Sequence, residues 1–490
     1  MSATRSTGCG PRSGRGYRSS WSGNRGRGSY RNGSWRGSKP DVPRPPSPPL
    51  GPVLTTLRES DLADSLNLDE DYARITDCKD VASYNWLDKN EPTILIPGKP
   101  PAWTPLSEPV KLREDDGKYF RDQNAARYPS HPLEPAVQAV LTSQPDFPSS
   151  SVDIFACGST LGNLLRFVRK VDRPFRMLVE AVGDTVFFLR RENSPTELIP
   201  NVYGFGHTFP EAYTTWEADV KGSESNQRII QYKFAGLDCL VRFEADGYHK
   251  NLISTKAKEA SGSVDYNTNL DDLVSSFGDS AISSYPPSRD RPLNVTQGGQ
   301  TIPQSAIFDL KTRSIRKKDQ DTLADELPRL WVAQIPNFIL AYHSWGLFEE
   351  IQIRDVRAEI ERWEHENEDV LRQFAALLRK LVNFARGTRN GKFEIRRLEV
   401  DILELREQCD SVGSTLPPAI EDRWVLGTAQ NQQSPTLGGQ QASHGRSIPG
   451  SNGEDINNLG QETVTLAWED GSEDFTACSA ACGYCGHCAH

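Results

Sequence analysis

Two short motifs in the chain combine acidic side chains at a spacing of two residues. The first, Glu244-x-Asp246, ends the run LDCLVRFEAD, in which apolar and polar residues alternate as in a β-strand. Both carboxylates then lie on one face, with their Cα atoms about 7 Å apart. Two like charges so close repel each other unless a cation lies between them. The motif therefore indicates a cation-binding pair.

The second motif, Asp309-x-Lys311, lies in the strand-like segment SAIFDLK. Asp309 would add a third carboxylate, and three carboxylates with water suit Mg²⁺ or Mn²⁺, which polarises a phosphate and activates a bound water. Lys311 would supply a mobile positive charge that orients this water or steadies the phosphorus centre. We predict a metal site of the kind that nucleases use, with Glu244 and Lys311 also acting in catalysis. A bland alternative stays open, in which these residues are the polar outer faces of two half-exposed strands.

Composition divides the chain into three parts. Pro, Gly and Ser are concentrated near both ends, which lowers the chance of burial there. We predict a disordered Arg/Gly- and Pro-rich tail at 1–55, one folded body at 56–410, and a second disordered tail at 411–490. Within the body, residues 250–304 show no sustained periodicity and are predicted to form a long surface insertion.

Periodicity within the body predicts a mixture of helices and hairpins. Apolar stripes at helical spacing indicate helices at 132–143, 160–169, 320–335 and 357–386. Alternating segments around a short turn indicate β-hairpins at 176–190, 228–245 and 337–353.

The first tail is strongly basic. Residues 1–40 contain eight Arg, one Lys and no acid, which gives this segment a charge of +9. Because the net charge of the whole chain is −10, the remaining residues carry −19. Guanidinium groups bind phosphates and aromatic faces stack on bases, which gives salt-sensitive RNA binding with little sequence preference. The predicted RNA-binding residues of this tail are Arg25, Arg27, Tyr30, Arg31 and Trp35. The alternative is a disordered, solubilising tail.

The end of the sequence, CSAACGYCGHCAH, is rich in metal-binding residue types. Zn²⁺ takes four N or S ligands, which Cys478, Cys482, Cys485 and Cys488 would provide. The alternative is an oxidation-prone tail without metal. No stretch approaches the roughly 20 apolar residues that span a bilayer, so we expect no membrane partner. Widely scattered cysteines in the body favour a reducing, intracellular location, nuclear or cytoplasmic.

Four ordered segments resemble the eukaryotic decapping exoribonuclease (DXO/Rai) family, over about residues 83–384. They are YGFGHTFPE at 203–211, VRFEADGY at 241–248, IFDLKTRS at 307–314, and RLWVAQIPNFILAYHSWGLFEEI at 329–351. The resemblance implies a mixed α+β fold of the PD-(D/E)XK nuclease type, in which helices flank mixed sheets. It also implies Glu211 as a further metal ligand, beside Glu244, Asp246 and Asp309, and Gln334 as a catalytic residue with Lys311.

Members of this family remove incomplete 5′ caps from RNA, hydrolyse 5′-triphosphates and in some cases degrade RNA from the 5′ end. The resemblance thus implies a metal-dependent RNA 5′-end phosphohydrolase that acts in RNA quality control. A rival hypothesis is a catalytically weak RNA-binding scaffold that partners a 5′→3′ exoribonuclease. It is motivated by Cys157-Gly158, which stands where the family has Arg-Gly. A DNA-directed nuclease is a third possibility.

Overall fold

Two mixed β-sheets and the helices packed on them make up the fold, as seen in a computed structural model of the chain. The structure describes residues 45–62, 73–200, 202–253, 291–409 and 411–429. The predicted α+β class is confirmed. Within the described ranges, no helix is long and apolar enough to cross a membrane.

The larger sheet has eleven strands, most of them antiparallel. β5 is parallel to both of its neighbours, and β12 is parallel to β3. In spatial order the strands are β1 (Val53–Arg58), β17 (Ile402–Arg406), β16 (Lys392–Arg397), β6 (Phe175–Val182), β7 (Thr185–Arg190), β5 (Ile154–Cys157), β10 (Leu237–Glu244), β9 (Ser223–Phe234), β2 (Ile75–Leu87), β3 (Thr93–Gly98) and β12 (Asn294–Gly299).

The smaller sheet has six strands, of which three are only two residues long. In spatial order they are β15 (Leu347–Asp355), β14 (Asn337–Ser344), β13 (Ile307–Ser314), β11 (Gly247–Tyr248), β4 (Ala102–Trp103) and β8 (Thr214–Thr215). The β13–β14 pair is parallel, and the short strand β11 runs antiparallel to β13.

The described helices are α1 (Gln123–Arg127), α2 (Glu134–Ser143), α3 (Gly158–Val168), α4 (Thr208–Tyr213), α5 (Thr322–Ala333), α6 (Arg357–Glu366), α7 (Glu368–Gly387) and α8 (Pro418–Ala429). One large apolar cluster joins α3, α5, α6 and α7 to the larger sheet. Leu371, Phe374, Leu378 and Leu381 form the buried stripe of α7 in this cluster, as their spacing predicts. Burial of each such side chain stabilises the fold by about 1.5–3 kcal/mol.

Two further clusters cover other faces of the sheets. One lies on the opposite side of the larger sheet and includes Trp86, Phe155 and Trp424, which belong to β2, β5 and α8. The other packs α4 on the smaller sheet, with Phe209 against Phe308 and Leu310 of β13 in the same cluster. Both β10 and β13 are therefore covered on their two faces.

All three predicted hairpins are confirmed. β6 and β7 pair across Gly183-Asp184, β9 and β10 across Ala235-Gly236, and β14 and β15 across Trp345-Gly346. Ala235 and Gly236 both have positive φ, 54° and 74°, which is the backbone that matches the twist of paired strands in a two-residue loop.

Three expectations about the organisation need correction. The predicted insertion 250–304 contains β12, an edge strand whose residues bond to β3 although they lack helical or alternating periodicity. The predicted helix 357–386 is broken at Asn367 into α6 and α7. Beyond residue 410, where we expect a tail, α8 packs Trp424 into the core, because the apolar groups of Leu416, Ile420 and Trp424 recur at four-residue spacing.

Candidate functional site

The Glu-x-Asp motif lies where the chain passes from the larger sheet to the smaller one. Glu244 is the last residue of β10 and pairs with Gln227 of β9. Ala245 continues this pairing, since its N–H donates to the carbonyl oxygen of Asn226 at 3.0 Å. Gly247 then begins β11 in the smaller sheet. Asp246 is therefore a junction residue between the two sheets.

Gly247 makes the close approach of the two sheets possible at this junction. It lies opposite Phe308 of β13. A Cβ atom at this position would lie 2.3 Å from Cζ of Phe308 and 2.8 Å from the carbonyl oxygen of Pro101. Such distances are well inside van der Waals contact, so a larger residue would push β11 away from β13. The glycine holds Asp246 next to the second motif.

Asp246 contacts the Asp-x-Lys motif directly. Its Oδ2 atom accepts a hydrogen bond of 2.7 Å from the backbone N–H of Leu310, the residue between Asp309 and Lys311. Burial and the nearby charge of Asp309 raise the pKa of Asp246 to about 7, although the Leu310 N–H, Arg329 and Lys311 act in the opposite direction. The two motifs are therefore in contact in this structure, as the sequence predicts.

Asp309 and Lys311 are deeply buried, with exposed fractions of 1 % and 5 %. By strand alternation they lie on the face of β13 opposite Phe308 and Leu310. Helix α5 covers that face, as its contacts with Asp309 show. The bland alternative, in which both residues sit on a half-exposed strand face, is therefore wrong for β13.

Two residues of α5 engage the motif directly. The two terminal nitrogens of Arg329 donate to the two carboxylate oxygens of Asp309, in a bidentate ion pair. Arg329 Nε also donates to Oε2 of Glu326 at 2.9 Å. The other oxygen of Glu326 lies 3.8 Å from Lys311 Nζ and 3.5 Å from Nη2 of Arg313.

These contacts define an ion cluster with three acids and three bases, of which four are buried and two, Asp246 and Arg329, are partly exposed. The acids are Asp246, Asp309 and Glu326, and the bases are Lys311, Arg313 and Arg329. When all six are ionised their charges cancel. Buried charges persist only where they are paired in this way.

The electrostatics of Glu326 and Arg329 show how strongly the cluster is coupled. Burial alone would raise the pKa of Glu326, but Lys311, Arg329 and Arg313 outweigh it and lower that pKa to about 2. Burial likewise favours the neutral form of Arg329, yet Asp309 and Glu326 raise the pKa of the guanidinium. Both side chains are charged at neutral pH.

The remaining predicted residues are Glu244, Gln334 and Glu211, which make hydrogen bonds with residues outside this cluster. Glu244 is half-buried, and its Oε2 accepts from Nε2 of Gln227 at 3.2 Å. Gln334 ends α5 in a left-handed conformation, and its side-chain amide donates back to the carbonyl oxygen of Trp331 at 2.6 Å. Glu211 is an exposed residue of α4, the helix that packs on the Phe308 face of β13. Their metal-binding and catalytic roles stay predictions.

The carboxylates at the junction of the two sheets are the candidate ligands for a divalent ion. Carboxylate oxygens are the ligand type that Mg²⁺ and Mn²⁺ prefer. However, both oxygens of Asp309 are bound by Arg329, and an oxygen of Asp246 is bound by the Leu310 amide. Among the described residues, no group of three or more His, Cys, Asp or Glu is placed to hold a metal. The residues in this arrangement do not fit the predicted metal.

Sequence reasoning missed Arg329, Glu326 and Arg313. Glu326 and Arg329 stand three residues apart on a predicted helix, a spacing that puts both on one face. Arg313 continues the alternation of Asp309 and Lys311 along β13. These patterns were visible, but a helical Glu–Arg pair is usually exposed, and only its burial against Asp309 shows its importance.

Cys157, at the position where the family resemblance leads us to expect arginine, lies next to a guanidinium from another strand. Arg242 of β10 is buried, and its Nη2 donates to Cys157 Sγ at 3.3 Å. Its Nη1 donates to the carbonyl oxygen of Pro132 at 3.2 Å. A positive charge is therefore present here, but it is held within the core.

Two predicted sites fall outside the described residues. They are the RNA-binding tail residues Arg25, Arg27, Tyr30, Arg31 and Trp35, and the zinc-binding candidates Cys478, Cys482, Cys485 and Cys488.

The fold and the site define a mixed α+β protein with a compensated ion cluster where two sheets meet. The chain belongs to the family described as "Domain of unknown function (DUF8563)", whose model matches residues 70–421. No curated protein matches the chain.

The chain is similar in structure to Rai1 and Dxo1 proteins, the group that its motifs resemble. Rai1 of S. pombe has a TM-score of 0.44 at 10 % identity, and the match covers 72 % of this chain and 99 % of that one. Rai1 of Scheffersomyces stipitis, solved with (3′-NADP)⁺ and calcium ion, has a TM-score of 0.47 at 11 % identity, with 78 % and 99 % covered. Dxo1 of K. lactis, solved with manganese, has a TM-score of 0.39 at 11 % identity, with 76 % and 97 % covered.

Proposed function

We propose that this chain acts at the 5′ ends of RNA and takes part in their processing, with the junction of the two sheets as its site. The observation that carries the proposal is the hydrogen bond from Leu310 N–H to Asp246. It joins Glu244-x-Asp246 to Asp309-x-Lys311, which correspond in this order to the Glu-x-Asp and Glu-x-Lys strands of the RNA 5′-end family that the sequence resembles, with Asp309 in place of the family's Glu.

Charge supports a phosphate-rich ligand in two ways. The junction contributes Lys311 and Arg313, whose positive charges would stabilise phosphate oxygens if the acids beside them shift. The Arg/Gly-rich tail adds eight arginines and one lysine in residues 1–40. Such a tail supplies general electrostatic affinity for RNA, and the junction would supply the preference for its end.

The test compares RNAs of one sequence that differ only at the 5′ end. Full-length protein is titrated with labelled 5′-triphosphate, 5′-monophosphate and 5′-hydroxyl RNA at fixed salt concentration, and with DNA of the same sequence. We expect tighter binding of the phosphorylated RNA ends, and a loss of that preference in Lys311→Met. The matched control is Lys233→Met, because Lys233 is exposed on β9 far along the hairpin from Glu244. Equal affinity for all RNA ends, or equal affinity for DNA, would contradict the proposal.

Two finer functions remain to be separated. The first is hydrolysis of caps or 5′-triphosphates with a divalent ion, which the resemblance of the two acidic motifs to the RNA 5′-end family favours. The second is metal-free binding of RNA ends, in a scaffold that would partner a 5′→3′ exoribonuclease. The ion pair between Arg329 and Asp309 favours the second, since a guanidinium already satisfies the carboxylate that hydrolysis would need.

One set of incubations distinguishes these two functions. 5′-Triphosphate RNA and RNA with an unmethylated cap are incubated with Mg²⁺, Mn²⁺ or EDTA, and both product and bound RNA are measured. Hydrolysis predicts product that needs the ion and disappears in Asp246→Ala and Asp309→Ala. Scaffold function predicts no product, together with RNA binding that survives EDTA and Asp246→Ala. Asp369→Ala, a change at an exposed position on α7, is the control in both cases.

A further inference from the structure

We propose that the guanidinium of Arg329 is the resident cation of the Asp246–Asp309 site, so that the wild-type protein takes up no divalent ion there. The inference concerns this chain without RNA, and it is independent of whether the proposed function is correct. The geometry of one ion pair and the charges around it support the proposal.

Arg329 lies where a metal ion would have to bind Asp309. Arg329 donates through both terminal nitrogens to both oxygens of Asp309, which is the bidentate arrangement that suits a planar guanidinium. A divalent ion bound to Asp309 would have to displace at least one of these two hydrogen bonds. The Asp309 carboxylate is 1 % exposed, so water cannot easily replace the lost donor.

The charges of the ionised cluster balance without a metal ion. The ion cluster contains as many bases as acids, so a divalent ion would leave an excess of two positive charges in a largely buried environment. The ion would lie beside Arg329, Lys311 and Arg313, all of which would repel it. Arg329 would have to leave the cluster before an ion could bind.

The position of the Arg329 guanidinium is also fixed by the helix that carries it. It belongs to α5, and its Nε donates to Glu326 three residues earlier on the same helix. Trp331, two residues further on, is buried in the main apolar cluster. The guanidinium is therefore held by a second acid and by a packed helix, in addition to its pair with Asp309.

The experiment measures Mn²⁺ binding by full-length protein without RNA, by calorimetry and by the electron paramagnetic resonance signal of free Mn²⁺. Wild type and Asp309→Asn should give the same result, because the side chain at position 309 binds no ion in either protein. Arg329→Gln should gain a saturable site that binds Mn²⁺ at least about tenfold more tightly than wild type. The double variant Arg329→Gln with Asp309→Asn should lose this site again.

Two results would overturn the inference. One is Mn²⁺ uptake by wild type that Asp309→Asn removes, and this comparison does not depend on any arginine variant being folded. The other is a folded Arg329→Gln protein that gains no Mn²⁺ site. Neither result bears on RNA-end preference, which the titrations of the proposed function measure separately.

Discussion

The two halves of the motif pair lie in contrasting surroundings. Glu244 stands at the end of β10 in the larger sheet, is half-buried, and accepts a hydrogen bond from the neutral amide of Gln227. Asp309 stands within β13 of the smaller sheet, is almost fully buried, and is paired with Arg329. A carboxylate therefore lies at a partly accessible strand end in one motif, and inside a charge-balanced cluster in the other.

The contrast shows that the surroundings of an acid determine its role more than its motif does. A carboxylate in a dry cluster contributes to stability only through its partners, because loss of one partner leaves an uncompensated charge. A carboxylate near solvent costs little to replace and stays available to a ligand. Variants of the buried cluster around Asp309 should therefore mainly lower stability, and variants of Glu244 should mainly change function.

The largest effect is expected for Arg329→Met, which leaves the Asp309 carboxylate buried without its guanidinium. Breaking a buried ion pair from one side typically costs about 3–5 kcal/mol. We expect the free energy of unfolding in urea to fall by that order at pH 7. Adding Asp309→Asn to the variant should restore part of the loss, since no uncompensated charge then remains.

Arg386→Met is the matched control for this prediction. Arg386 also pairs with an aspartate, Asp153 at 2.9 Å, but both side chains are partly exposed. Exposed pairs contribute roughly 0.2–1 kcal/mol. Similar losses in Arg386→Met and Arg329→Met would show that burial of Asp309 does not strengthen its dependence on Arg329.

The next effect concerns pH and Glu326, whose pKa is lowered to about 2 in the folded protein from an ordinary value of 4.5. A lowered carboxylate pKa stabilises the fold above pH 4.5, and this contribution disappears as the pH falls towards 2. At neutral pH it amounts to about 3 kcal/mol. Glu326→Gln should be less stable than wild type by that order at pH 7, and the gap should close between pH 4.5 and 2. A gap that stays constant with pH would contradict the coupling.

Much of the architecture could be predicted because it depends on local patterns. The β9–β10 hairpin follows from alternation on both sides of Ala235-Gly236, and α7 from its apolar stripe. Edge strand β12 could not be predicted in this way. Its sequence, NVTQGG, has little strand character, and its conformation is imposed by hydrogen bonds to β3, some 200 residues earlier.

The sequence predicts that the two acidic motifs lie together, but it does not predict which charged residues bind them. Alternation around Asp246 and Asp309 predicts two acidic strands, and the structure joins them through Leu310. The sequence does not show that the guanidinium of Arg329, twenty residues after Asp309, donates hydrogen bonds to the Asp309 carboxylate. Such a contact depends on how α5 packs on β13, which is a tertiary property without a local signal.

A smaller loss of stability is expected for Gly247→Ala. The added methyl group would meet Phe308 and the carbonyl oxygen of Pro101, and overpacking of this kind costs about 1–3 kcal/mol. Gly387→Ala is the control, because a Cβ there would meet no atom within 4 Å. If the close approach of β11 to β13 creates the junction, Gly247→Ala should also weaken the preference for phosphorylated RNA ends. An unchanged unfolding free energy would show that β11 can shift without strain.

The smallest effect on stability, and the most informative one on function, is expected for Glu244→Gln. The side chain is half-buried and lies at the end of a strand, so the unfolding free energy should change by less than about 1 kcal/mol. If Arg329 is the resident cation, Glu244 is a negative charge that RNA phosphates must approach, and its removal should tighten binding of 5′-phosphorylated RNA. If a divalent ion is needed, the same change removes a ligand and should weaken binding and abolish product. The direction of the change in affinity, measured with and without EDTA, thus decides whether the accessible half of the motif pair serves a metal.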